Sequence, residues 1–245
     1  MNRWKLVFAF EGTDYSGWQK QPNARTVQGV AEKAFLQLYQ HQIEIMGQGR
    51  TDAGVHAEKQ FAHADLPDKF EPDQLIHAMK GLLPDDIALL DAEKTDPEFH
   101  ARFDAISRTY RYQVSLNRNP LQRRFVWEIY ENVNTELLNR CSELILGEND
   151  FINFCKPPEN EGGTTICNVS ASEWEIHGEL LIFRISANRF LRHMVRRLVG
   201  SMVQVATGKI TMNEFSDLLN KNELKQKAFS APPQGLILNN VIYQK

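Results

Sequence analysis

Apolar residues along this chain recur at two different periods, and each change of period marks a new element. Trp4, Leu6, Phe8 and Phe10 fall at every second position, which predicts a strand over 4–10. Val27, Val30, Ala31, Ala34, Phe35 and Leu38 then recur at helical spacing behind Thr26, a good N-cap residue, and predict a helix to about Tyr39. Two extended runs follow, over 42–46 and 58–66. Pro72 stands at a first-turn position before a helix over 73–83, and Pro84-Asp85-Asp86 opens a strand over 87–91. Strand, helix, strand, strand, helix, strand is the order of a ferredoxin-like unit. The pattern therefore predicts an α+β protein with one domain over 1–100 and a second over 101–245.

In the second half, Ser107–Leu116 reads as a strand with Arg108, Tyr110, Tyr112 and Val114 on one face. Asn134 caps a helix over 135–146 whose inward face is Leu137, Leu138, Cys141, Leu144 and Ile145. Residues 157–163 are loop-like and acidic. Two strands, 166–176 and 180–187, flank Gly178 as a hairpin. From Phe190 to Thr207 two rows repeat every four residues: Phe190, Met194, Leu198, Met202 and Leu191, Val195, Val199, Val203. These predict a long helix with a core face. Arg189, His193 and Arg197 form a neighbouring row, as do Arg192 and Arg196, an arrangement of like charges that costs a few tenths of a kcal/mol per pair and suits an anionic partner. Thr211 and Glu214 make a capping box for a helix to about Asn220, and a last strand runs over 236–243.

A hydrophobic content of 42% suffices for a full core. The N-terminal apolar run, Leu6–Phe10, is too short for a secretory signal or a membrane span. Cys141, Cys155 and Cys167 are odd in number and lack metal-type spacing, so they read as reduced thiols of a cytoplasmic protein. The net charge of −3 argues against nucleic acid, but its distribution does not. Arg102, Arg108, Arg111, Arg118, Arg123 and Arg124 are opposed within their span only by Asp104, and Arg184, Arg189, Arg192, Arg196 and Arg197 by no acid. Such local clusters set the potential that a polyanion meets.

The chemistry centres on Gly47-Gln48-Gly49-Arg50-Thr51-Asp52-Ala53-Gly54-Val55-His56-Ala57, which joins two predicted strands. Its glycines allow tight backbone, and a carboxylate near Arg50 is held ionised, as a nucleophile or base requires. The same residue types also make an ordinary turn, in which His56 is a hydrogen-bond partner. A metal-dependent hydrolase using Asp52, His56 and His63 is a rival reading, although these lack a recognised ligand spacing.

Gly49 to Ala57 resembles, residue for residue, the signature of the tRNA pseudouridine synthases of the TruA family. Further resemblances are Gly12-Thr13 through Tyr15, Gly17-Trp18-Gln19, then Phe99–Ala105, Ser107–Tyr112, Asp150–Phe154, Asn188–Arg196 and the closing Pro-Gly turn and strand. The resemblance implies two ferredoxin-like (RRM-like) halves with joined antiparallel sheets and a basic central cleft. It implies isomerisation of uridine to pseudouridine at positions 38, 39 and 40 of the tRNA anticodon stem-loop, by a homodimer without cofactor or metal. It casts Asp52 as nucleophile, Arg50 as its neighbour that helps displace the base, and Tyr110 as the ring against the target base. Arg108, Arg189, Arg192, Arg196 and Arg197 become RNA-binding candidates. A catalytically silent RNA-binding protein of the same fold is the alternative, which intact Arg50, Asp52 and Tyr110 disfavour. Two departures from the family pattern are Cys167, near Thr165-Ile166 where the family often carries an arginine, and Lys225 and Lys227, which replace the basic residue that the family usually has before the final Ala-Pro.

Overall fold

A computed structural model describes residues 1–156, 163–220 and 228–244, so Lys225, Lys227 and most of the acidic loop fall outside it. The chain forms two compact units, one of residues 1–106 with 237–245 and one of residues 107–236. Both are mixed α/β structures with mostly antiparallel sheets, and among the described residues no helix is long and apolar enough to cross a membrane.

In the first unit β1 (Asn2–Phe10) is central, antiparallel to both β3 (His56–Leu66) and β4 (Ile87–Lys94). Its alternating Trp4, Leu6, Phe8 and Phe10 are buried, as the pattern requires. The final strand β10 (Leu236–Tyr243) runs parallel to β3, with Ile237 opposite His56. Helix α1 (Val27–Tyr39) begins where expected, the Thr26 hydroxyl accepting from Gly29 N. Helix α2 (Pro72–Lys80) has its proline in the first turn.

The run 42–46 is not the strand its alternation suggests. Only Met46–Gly47 pair with β3, as β2. Ile43 and Ile45 are buried, but the main chain of Ile45 is taken by side chains from α1: its N–H donates to Glu32 Oε1 (3.3 Å) and its carbonyl accepts from Gln28 Nε2 (2.9 Å). Lys20 Nζ neutralises the other Glu32 oxygen at 2.8 Å. Side-chain partners thus replace a ladder, since buried backbone groups must be satisfied one way or another.

In the second unit β5 (Ala105–Ser115), β9 (Leu180–Ala187), β8 (Ile166–His177) and β7 (Gly147–Asp150) follow one another antiparallel, and β6 (Trp127–Glu128) lies parallel beside β5. The β8–β9 hairpin turns at Gly178, φ +61°. Helix α3 (Thr135–Leu144) is capped by Asn134, whose Oδ1 accepts from Glu136 and Leu137 N. Leu144 is exposed, contrary to the inward face read for it, while Leu138, Cys141 and Ile145 are buried. Helix α5 (Met212–Asn220) starts with the reciprocal Thr211–Glu214 box. All three cysteines are buried and free.

The long helix is shorter than its periodicity. Helix α4 is Met194–Ala206, preceded by His193 at φ +67°, a left-handed conformation that no α-helix can contain. The polar groups of 188–192 serve other segments: Asn188 N donates to Asn168 O (3.1 Å), Asn188 Oδ1 accepts from Asn168 N (2.9 Å), and Arg192 O accepts from Lys156 N (3.0 Å). Arg189 and Arg192 therefore leave the helix, and the row of like charges is not formed.

Candidate active site

The Asp52 loop is held by a second stretch, Gly12–Trp18, more than thirty residues earlier. Its own closure is a tight turn in which Val55 N donates to Asp52 O (3.2 Å) and Gly54 takes φ +77°. Against this turn lies the earlier stretch. Trp18 N donates to Thr51 O (3.4 Å), Gly54 N to Tyr15 O (3.2 Å) and Gly12 N to His56 Nδ1 (3.0 Å). The approach is so close that glycine is required. A Cβ on Gly12 would stand 2.0 Å from Val55 O, and one on Gly17, φ +88°, would stand 2.3 Å from Thr51 O. Thr51 and Val55 are buried, Asp52 is half-buried and Arg50 is exposed.

Aromatic anchors hold the earlier stretch in place. Trp18 is fully buried against Phe8 and Phe10, ring centroids 5.7 and 6.0 Å away. Tyr15 is buried, its hydroxyl donating to Asp86 Oδ1 (2.6 Å) and accepting from Arg25 Nη2 (3.0 Å), with the Arg25 guanidinium 4.5 Å from its ring centre. Burial and the Asp86 carboxylate push the Tyr15 phenol well above its usual range, so it stays protonated.

His56 is buried, and its Nδ1 accepts the Gly12 N–H, a role that needs the unprotonated nitrogen. Glu11 Oε1, 3.8 Å from the same atom, is too distant to compete. His56 is thus the turn partner that the sequence suggests. His63 spends its Nδ1 likewise, on Ala101 N (3.1 Å). Among the described residues no group of three or more His, Cys, Asp or Glu is placed to hold a metal.

The remaining candidates lie in the second unit. Tyr110, on β5, is 9% exposed and meets Phe190 edge-on, centroids 5.1 Å apart at 90°. Tyr112, two residues on, is core, its hydroxyl donating to Pro232 O (2.7 Å). Arg108 Nη1 donates to Asn188 O (2.8 Å), which ties β5 to the segment carrying Arg189 and Arg192. Those two are exposed. Arg196 Nε is bound to Ala231 O (2.8 Å) and Arg197 Nη1 to Cys155 O (2.5 Å). Burial lowers the Arg197 pKa, as befits a cation inside the structure. Cys167 is also interior, its thiol pushed up to about 11 by burial, so its side chain packs and carries no charge.

The sequence model of a family described as tRNA pseudouridine synthase matches residues 6–104 and 142–244. The chain belongs to the tRNA pseudouridine synthase family. Similar synthases include tRNA pseudouridine synthase A of Bacteroides thetaiotaomicron, 37% identical over 99% of this chain and 91% of its own. That of Azobacteroides pseudotrichonymphae is 36% identical over 99% and 97%, and that of Dictyoglomus turgidum 39% over 99% and 100%. The synthase match includes Gly12–Trp18, the Asp52 loop and the Asn188–Arg197 segment, while the part of β5 with Tyr110 falls between its two spans. Gln60, which reaches the synthase loop from β3, is a contact that sequence reading missed. It occupies an ordinary strand position, and nothing in the local pattern distinguishes it.

Proposed function

We propose that this chain isomerises uridine to pseudouridine in tRNA, at positions 38, 39 and 40 of the anticodon stem-loop, with Asp52 as the catalytic carboxylate. The observation that carries the reading is the Asp52 turn, pinned from both sides by the Gly12–Trp18 stretch in a chain of this family. A carboxylate placed by main-chain bonds is preorganised, so little rearrangement accompanies the reaction.

The reaction breaks the C1′–N1 bond, turns the uracil and joins C1′ to C5, expelling the C5 hydrogen to water. Atoms and electrons balance without oxidant, metal or nucleotide. Asp52 attacks the sugar or the base, or assists departure of the uracil. The target base must first leave its stack, at a cost of a few kcal/mol. In this reading Arg50, exposed beside Asp52, helps displace the base, and Tyr110 offers its ring and hydroxyl to it. Its near-complete burial against Phe190 fixes the ring plane. Arg189 and Arg192 contact phosphate directly, while Arg108, Arg196 and Arg197 shape the segment that presents them. Phosphate contacts position RNA without reading its sequence. Two ferredoxin-like halves, a basic cleft, a homodimer and a cytoplasmic location complete the proposal as the family resemblance implies them.

The test is tritium release from tRNA transcribed with uridine labelled at C5, with Asp52→Asn beside the wild type. The wild type should release tritium without added cofactor, and Asp52→Asn should bind tRNA and release none. Appreciable release by Asp52→Asn would remove Asp52 from its role. Binding without release by the wild type would favour a silent RNA-binding protein.

A further inference from the structure

Gln60 stands in the middle of β3 and is fully buried, a place where a leucine would ordinarily sit. Its Nε2 donates to Gly49 O (3.3 Å) and lies 3.4 Å from Phe61 O, while its Oε1 is buried without a hydrogen-bond partner. A buried amide oxygen left unpaired is costly and calls for an explanation. The explanation lies in what the other end of the amide holds. Gly49 enters the Asp52 turn three residues before the carboxylate, and Gln48 N is bound to Phe61 O (2.9 Å) next to Gln60. Gly47 leaves room for the arrangement, since a Cβ there would stand 3.1 Å from Gln60 Nε2 and 2.3 Å from Trp18 Nε1. The amide is therefore wedged between the strand, the entering chain and the tryptophan that anchors the Gly12–Trp18 stretch.

We infer that Gln60 is a positioning residue for the isomerisation: through its bond to Gly49 O it sets the entry of the Asp52 turn and hence the place of the carboxylate. The inference rests on the proposed role of Asp52. Gln60 itself, being inaccessible, touches neither base nor phosphate. Its loss should appear in the chemical step and not in RNA affinity.

The experiment uses the full-length protein, C5-tritiated tRNA in single-turnover mode, and filter binding of the same tRNA, with Gln60→Met and Gln60→Glu. Gln60→Met fills the space and removes the donor. Its single-turnover rate should fall about tenfold or more, with Kd unchanged within about twofold, as misplacement of a catalytic group predicts. Gln60→Glu presents a carboxylate to Gly49 O at high pH but an O–H donor once protonated, and burial raises the pH at which that occurs. Its rate relative to wild type should therefore recover as pH falls, whereas Gln60→Met should show no such recovery. A merely structural role would not produce that difference. Gln60→Met turning over like the wild type, a loss confined to Kd, or a Gln60→Glu deficit independent of pH would each overturn the inference. If Gln60→Met does not fold, the pH profile of Gln60→Glu decides alone. A wild type that releases no tritium would overturn the proposed activity, and this inference with it. Active Gln60 variants beside an inactive Asp52→Asn would overturn this inference only.

Discussion

Gly17→Ala should damage the Asp52 turn although residue 17 lies far from it in sequence. Gly17 has φ +88°, where an L-residue costs about 1–2 kcal/mol. Its added methyl would also stand 2.3 Å from Thr51 O and 3.1 Å from the carbonyl carbon of Asp52. Ordinary van der Waals contact begins near 3.4 Å, so the two backbones must separate by roughly 1 Å. Both are main chain, and neither can give way as a side-chain tip would. Separation also stretches the 3.4 Å bond from Trp18 N to Thr51 O. The displacement falls on Asp52 itself, and a misplacement of about 1 Å can lower a rate about a hundredfold. Gly49→Ala is the control, since a Cβ on Gly49 meets nothing within 4 Å and its φ is not positive. Single-turnover tritium release should fall by about two orders of magnitude in Gly17→Ala and by less than about threefold in Gly49→Ala, although only Gly49 belongs to the nine-residue signature. Thermal unfolding should show Gly17→Ala lower by about 4–8 °C, for about 2 kcal/mol in a chain of this size. Wild-type turnover by Gly17→Ala, or equal losses in both variants, would refute the argument that backbone contact with Gly12–Trp18 places the carboxylate.

Other consequences are open to test. His63 is buried, its pKa lowered to about 4 by burial, with Arg3 and His100 adding to the effect. The unfolded chain binds a proton near pH 6.5 and the folded one does not. The associated stability is complete above pH 6.5 and is lost as pH falls towards 4, amounting to about 2 kcal/mol between pH 7 and pH 5. Urea unfolding at those two pH values should show that difference for the wild type but not for His63→Gln, and equal pH dependence in the two would exclude His63 as its source. Arg189→Ala and Arg192→Ala should each reduce the salt dependence of tRNA binding by about one phosphate contact, a slope change of about 0.7–0.9. Arg197→Ala should lower the melting temperature and leave that slope alone, because its guanidinium is bound to Cys155 O; a fall in slope without loss of stability would reverse these roles.

Local pattern was sufficient wherever the deciding partners lie within a few residues. The alternation of Trp4 to Phe10, the Thr26 and Asn134 caps, the Thr211–Glu214 box and the Gly178 turn are all formed as the residues dictate. So is the signature around Asp52, whose glycines announce a tight turn and whose nine residues point to the family. Only the tertiary structure decided what depends on distant partners. Alternation over 42–46 promised a strand, but Glu32 and Gln28 from α1 took the main chain of Ile45. The two four-residue rows from Phe190 promised a helix, but bonds to Asn168 and Lys156 hold its expected first turn apart, and α4 begins at Met194. Arg196 and Arg197 looked like surface cations in the charge pattern, yet carbonyls of Ala231 and Cys155 engage them. The same holds for β10, which pairs with β3 some 180 residues earlier, and for Gln60, whose meaning comes from Gly49 on another segment. Periodicity records how often a side chain turns inward. It does not record which backbone group it meets there, and in this protein those meetings set both the ends of the elements and the place of Asp52.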